Sequence, residues 1–150
     1  MSEYRANLLW SGPNTDFTYK TYSRTHTWTF GGGSAVEASA APEYLGKAEL
    51  VNPEEAFAAS LASCHLLTFL ALAAFQKFTV GRYEDEAVAS VGKNAQGKMA
   101  VLQVTLNPKV TFSGENLPTP DQIAALHHRA HNDCFISNSV LTEVIVKPVV

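Results

Sequence analysis

The chain has 150 residues, enough for one domain able to bury roughly 68–70% of the surface its unfolded form exposes. Eleven basic residues stand against 14 acidic ones for a net charge of -3, with no run of Lys or Arg to neutralise successive phosphates, so nucleic acid is not an expected partner. Two cysteines are too few for a secreted disulfide framework and MSEYRANLLW lacks the regions of a signal peptide, so the expected compartment is the cytoplasm, where a persistent structural disulfide is unusual.

In chain order, Tyr4 to Trp10 reads as a strand, Ser11-Gly12-Pro13-Asn14 as a turn and Phe17 to Ser23 as a second strand, which together suggest a hairpin. His26, Trp28 and Phe30 alternate along a further extended piece that stops at Gly31-Gly32-Gly33, and Ala35 to Ala41 is weakly extended. The start of a long helix is the clearest signal. Asn52 suits the N-cap, Pro53 the first helical position, and Glu54 and Glu55 place negative charge where the helix dipole favours it. The helix is predicted to run to about Gln76, with Val80-Gly81 ending it. Its stretch from Ala56 to Phe75 carries no formal charge and is long enough to cross a bilayer. Its Ala-rich composition, with Ser60, Ser63, His65 and Thr68 interspersed, and its charged flanks point instead to the centre of a soluble protein without a membrane.

Arg82 to Ser90 reads as a strand, Asn94-Ala95-Gln96-Gly97 as a hairpin turn and Val101 to Phe112 as the longest β-like run. Thr119 followed by Pro120 starts a second helix to about Asn132, and Val140 to Val146 is a closing strand. No repeat or linker interrupts this order. The expectation is a single domain over residues 1–150 of class α+β, with mainly antiparallel sheets packed on a long central buried helix plus a second helix.

Cys64 lies deep in the apolar helix and Cys134 where the second helix gives way to Phe-Ile-Ser-Asn-Ser. By itself each could be an inert core residue, since free Cys is among the most buried types. The surrounding residues argue otherwise. Asn-Pro-Glu-Glu-Ala-Phe-Ala-Ala-Ser-Leu-Ala-Ser-Cys-His, from Asn52 to His65, and Ala-His-Asn-Asp-Cys-Phe-Ile-Ser-Asn-Ser, from Ala130 to Ser139, in that order and separation resemble the OsmC/Ohr family of osmotically inducible and organic hydroperoxide resistance proteins. The resemblance covers nearly the whole chain. It implies an intertwined homodimer and a peroxiredoxin-like, thiol-dependent peroxidase that needs no cofactor or metal. Organic hydroperoxide is the implied substrate, a dithiol the implied reductant and stress defence the implied setting. It further implies Cys64 as the peroxidatic cysteine, Cys134 as the resolving cysteine, and an Arg and a Glu supporting the first. Such chemistry needs a thiolate, since an ordinary thiol is mostly protonated at neutral pH, and a second thiol to trap the sulfenic acid as a disulfide.

Glu54 matches the Glu of the family's Asn-Pro-Glu motif but precedes Cys64 by ten residues, about 15 Å of helical rise. Glu54 and its Arg are therefore expected from the partner subunit of a dimer with shared active sites. Glu55 is expected to cap the helix only. Where some relatives carry the Arg shortly before Asn-Pro-Glu, this chain has Leu45. Others carry it on an early strand about thirty residues before the Glu, and Arg24 fits that spacing, with Lys47 as the substitute. Phe135 replaces the Pro that many relatives have after the second cysteine.

His127 and His131 share a helix face and His131 lies one turn from Cys134, so with Cys64 they offer an alternative zinc site. His65 points about 100° away from Cys64 and is expected to be packed or hydrogen-bonded rather than catalytic. A third reading keeps the fold as an apolar small-molecule binder, using aromatics such as Trp28, Phe57, Phe69 and Phe135.

Overall fold

The computed structural model of the protein describes residues 1–12 and 16–150. The chain forms two compact units, Met1–Ala56 and Phe57–Val150.

The first unit is a three-stranded antiparallel sheet of β1 (Ala6–Leu9), β2 (His26–Phe30) and β3 (Ala35–Ala38), in that order. Gly31-Gly32-Gly33 turns β2 into β3, with Gly33 at φ 92, a left-handed conformation that costs glycine nothing. The expected second strand at Phe17 to Ser23 does not form, and β1 pairs with β2 instead. Thr18 accepts from the backbone N–H groups of Thr21 and Tyr22 at 3.1 and 3.0 Å, and the Thr21 hydroxyl donates to Asp16 at 2.8 Å. Such local Asp and Thr bonds offer the backbone an alternative to a ladder. Part of the turn expected at Ser11-Gly12-Pro13-Asn14 lies outside the described residues. Beyond β3, a short 3-10 turn spans Pro42–Tyr44 and Leu45 follows at φ 64.

Helix α1 (Pro53–Phe75) starts in this unit on a reciprocal cap. Asn52 Oδ1 accepts from the Glu55 N–H at 2.9 Å, and Glu55 Oε2 accepts from the Asn52 N–H at 3.1 Å.

The second unit surrounds the remainder of α1. The helix ends at Phe75, one residue short of the expected Gln76, and it is stopped by Lys77 at φ 62 rather than by Val80-Gly81. The Phe78 N–H bonds the Ala73 carbonyl at 3.0 Å and the Lys77 N–H bonds the Ala74 carbonyl at 2.9 Å, the two bonds of a Schellman stop. Val80 and Gly81 belong to β4 (Thr79–Glu84), which pairs antiparallel with β7 (Lys109–Ser113). A separate sheet has the order β5 (Val88–Lys93), β6 (Met99–Leu106), β8 (Glu143–Val146), in which β5 and β6 run antiparallel but β8 joins β6 in parallel. The run predicted from Arg82 to Ser90 is thus two strands, as is the run from Val101 to Phe112. One set of bonds marks both breaks: Asp85 Oδ1 accepts from the Asn107 N–H at 2.6 Å and the Asn107 side chain donates to the Glu86 carbonyl at 2.8 Å, with Pro108 following.

Helix α2 (Pro120–Asp133) has the capping box its sequence suggests, built by Thr119 and Gln122. Phe69, Leu72 and Ala73 of α1 join Phe78, Leu126 and Ala130 in one core cluster against β4 and β7, whereas Ala58 and Leu61 pack with Val104 and Leu106 of the other sheet. The class is α+β, and among the described residues the strands pair antiparallel except β6 with β8, with one isolated parallel bridge between Ala38 and Val51. Of α1, Leu67 and Phe75 remain 62% and 83% exposed.

Candidate functional site

Cys64 sits in the middle of α1 and Cys134 at the C-cap of α2, both as free thiols. Although 70 residues apart in sequence, they are neighbours in the fold, close enough for Cys64 to raise the Cys134 thiol. Cys134 is 1% exposed, whereas Cys64 is half-buried and so the more accessible of the two. Burial, and then the hydrogen bond to Cys64, push the Cys134 thiol up to about 11, so at neutral pH it stays protonated. A bend after α2 shapes the second thiol's surroundings. The Ser137 N–H reaches Cys134 Sγ at 3.4 Å, and the Asn138 N–H bonds the Cys134 carbonyl at 3.0 Å. Phe135 is 82% exposed at the start of this bend.

Next to the thiols lies a feature that spacing alone did not reveal. His65 Nε2 is 3.0 Å from His127 Nδ1, and the two rings are parallel within 4°. Burial, with the fields of His127 and His131, lowers His65 to about 4, and burial lowers His127 to about 4, so both rings are neutral at neutral pH. His131 is instead half-buried, with Nδ1 3.4 Å from the Ser137 hydroxyl. Among the described residues no group of three or more His, Cys, Asp or Glu side chains is disposed to hold a metal ion, so the zinc arrangement of His127, His131 and the cysteines finds no support.

Arg24 and Glu54 belong to the first unit, where both line a cavity of about 470 Å³. Trp10, Phe17, Tyr22 and Tyr44 give it aromatic walls, and Ala40 and Ala41 close it. Arg24 is held from both sides: its guanidinium donates to the Tyr22 carbonyl at 2.6 Å and to the Tyr19 carbonyl, and stacks 3.7 Å from the centre of the Tyr22 ring. Neither Lys47 nor Leu45 lines this cavity. Glu55, engaged with Asn52, serves as a cap. The cavity thus pairs one fixed cation and one carboxylate with apolar walls, the lining expected for an amphipathic small molecule.

The fold agrees with that of known proteins. Residues 46–148 match the OsmC-like protein family. An OsmC-like protein of unknown function from Vibrio cholerae is 47% identical, with a TM-score of 0.96 over 99% of this chain and 100% of that one. The organic hydroperoxide resistance protein from Elizabethkingia anophelis, 19% identical, superposes with a TM-score of 0.72 over 99% and 94% of the two chains. The organic hydroperoxide resistance protein OhrB of Bacillus subtilis, also 19% identical, gives 0.71 over 99% and 98%. No curated protein matches the sequence. With the family matched across more than two thirds of its length and a relative sharing nearly half its residues, the chain belongs to the OsmC-like family.

Proposed function

We propose that the protein is a thiol peroxidase that reduces organic hydroperoxides through Cys64 and Cys134. The observation that carries this reading is the proximity of the two thiols, the buried Cys134 beside the more accessible Cys64. Names of the structural relatives in Elizabethkingia anophelis and Bacillus subtilis, both organic hydroperoxide resistance proteins, support it.

The Cys64 thiolate attacks one peroxide oxygen and the O–O bond breaks. The departing alkoxide takes up a proton to leave as an alcohol, and Cys64 becomes a sulfenic acid. Cys134 then attacks the Cys64 sulfur, the S–O bond breaks, and the departing hydroxide leaves as water with the proton that Cys134 gives up. The resulting Cys64–Cys134 disulfide returns to two thiols at the expense of an external dithiol.

Arg24 and Glu54 belong to this chemistry when two copies of the chain associate and each supplies its cavity to the Cys64 of the other. The guanidinium then favours the thiolate, Glu54 orients the guanidinium, and the aromatic walls hold the organic part of the substrate. The exposed Leu67 and Phe75 on α1 favour such a homodimer, since each leaves a large apolar side chain uncovered in one copy.

The same cavity favours a second reading, in which the protein binds an apolar small molecule without chemical change. Consumption of a bulky organic hydroperoxide by wild type, Cys64→Ser and Cys134→Ser decides between them. Cys64→Ser is expected to abolish consumption and Cys134→Ser to allow one equivalent per chain. Equal, negligible consumption by all three would leave only the binder.

A further inference from the structure

His65 and His127 are buried side chains that the proposed chemistry does not use, yet each is tied in sequence to one of the cysteines. His65 follows Cys64 directly on α1, and His127 precedes Cys134 by seven residues, two turns along nearly the same face of α2. They are 1% and 4% exposed, and Phe69 of α1 packs its ring 4.4 Å from that of His127. In a bond of 3.0 Å between neutral imidazoles, one ring donates and the other accepts, so the contact fixes ring orientation as well as tautomer.

The rest of the contact between the two helices in this cluster is apolar, from Phe69, Leu72 and Ala73 to Leu126 and Ala130. Apolar burial is non-directional, so it holds helices together while setting their register only through shape. A hydrogen bond has a preferred length and angle and sets that register directly. The sulfurs need it, because a disulfide accepts Cα separations of only about 4.4–6.8 Å.

We propose that the hydrogen bond between His65 and His127 is a clamp that positions the dithiol, fixing α1 against α2 so that Cys134 stays within bonding reach of Cys64. The proposal rests on reading Cys64 and Cys134 as a redox pair, and does not require that a hydroperoxide be the oxidant.

Equilibration of the full chain with reduced and oxidised glutathione at pH 7 tests it. There the two thiols and one glutathione disulfide exchange for the protein disulfide and two glutathione thiols, and mass spectrometry reads the ratio after acid quenching. His127→Ala is expected to lower the protein disulfide-to-dithiol ratio about tenfold or more, because small misplacements of reacting groups cost large factors. His127→Gln, which can still hydrogen-bond, restores most of the ratio. Leu72→Ala opens a hole in the same cluster without removing either imidazole and leaves the ratio unchanged. His65→Asn breaks the clamp from the other helix with a smaller loss of volume, and is expected to match His127→Ala. A folded His127→Ala or His65→Asn protein with the wild-type ratio overturns the clamp, as does a Leu72→Ala protein that falls equally far. A wild type that forms the disulfide with glutathione yet leaves hydroperoxide untouched removes the peroxidase and keeps the clamp.

Discussion

Arg24 is the side chain on which the rate of the first step is expected to depend. Its guanidinium is already fixed by two backbone carbonyls and the Tyr22 ring, so little freedom is lost when it meets a thiolate. An adjacent opposite charge shifts a titrating group by one unit or more, so Arg24→Ala is expected to slow hydroperoxide attack about tenfold at neutral pH, in stopped-flow kinetics. A wild-type rate would remove Arg24 from the chemistry. The histidine pair makes a second prediction. Both rings titrate near 4 when folded, against an ordinary 6.5, so between pH 6.5 and 4 the unfolded chain binds protons that the folded chain refuses. Stability is therefore unaffected by these groups above pH 6.5 and falls as pH drops toward 4, by on the order of 3 kcal/mol for each ring. Urea midpoints at pH 7 and pH 4.5 measure this, and a double variant His65→Asn with His127→Gln should lose most of the difference. An unchanged difference in that variant would show other groups to be responsible. The proposed site residues were singled out in the sequence by the motifs flanking the cysteines, by Asn-Pro-Glu for Glu54 and by spacing from Glu54 for Arg24. The histidine pair was not, because its partners stand 62 positions apart and neither residue type announces burial.

At the level of elements, helix starts could be read from the chain because their determinants are local. Asn52, Pro53 and Glu55 lie within four residues, as do Thr119, Pro120 and Gln122, and both caps form as side-chain chemistry dictates. Asn52→Ala is expected to cost about 1 kcal/mol of stability, measured by chemical denaturation, through loss of the acceptor for the Glu55 N–H. A cost near zero would mean that water replaces the cap. Strand ends were less legible. The break between β4 and β5 depends on Asp85 meeting Asn107, 22 positions away, and the helix stop at Lys77 uses a left-handed residue that is not glycine. Periodicity carries no record of either. The parallel pairing of β8 with β6 is likewise a product of tertiary arrangement, since alternation in Val140 to Val146 is silent about direction.

For the whole molecule, the α+β class followed from the order of strand and helix patterns, and the family from paired motifs around the cysteines. Helix α1, without formal charge from Ala56 to Phe75, is long and apolar enough to cross a membrane, and one third of its most apolar window is buried in a single chain. We propose that a second copy covers much of the remainder. Sedimentation equilibrium should then give twice the mass of one chain, and Leu67→Glu, on the exposed part of α1, should shift the protein toward the single chain. A monomer at micromolar concentration would contradict shared active sites. The central claim is that Cys64 and Cys134 form one redox pair driven by an organic hydroperoxide, and counting free thiols before and after one equivalent of a bulky organic hydroperoxide tests it most directly. The account predicts the loss of both thiols in each chain, an intramolecular disulfide and one equivalent of alcohol. Thiols that survive the hydroperoxide unchanged would contradict it.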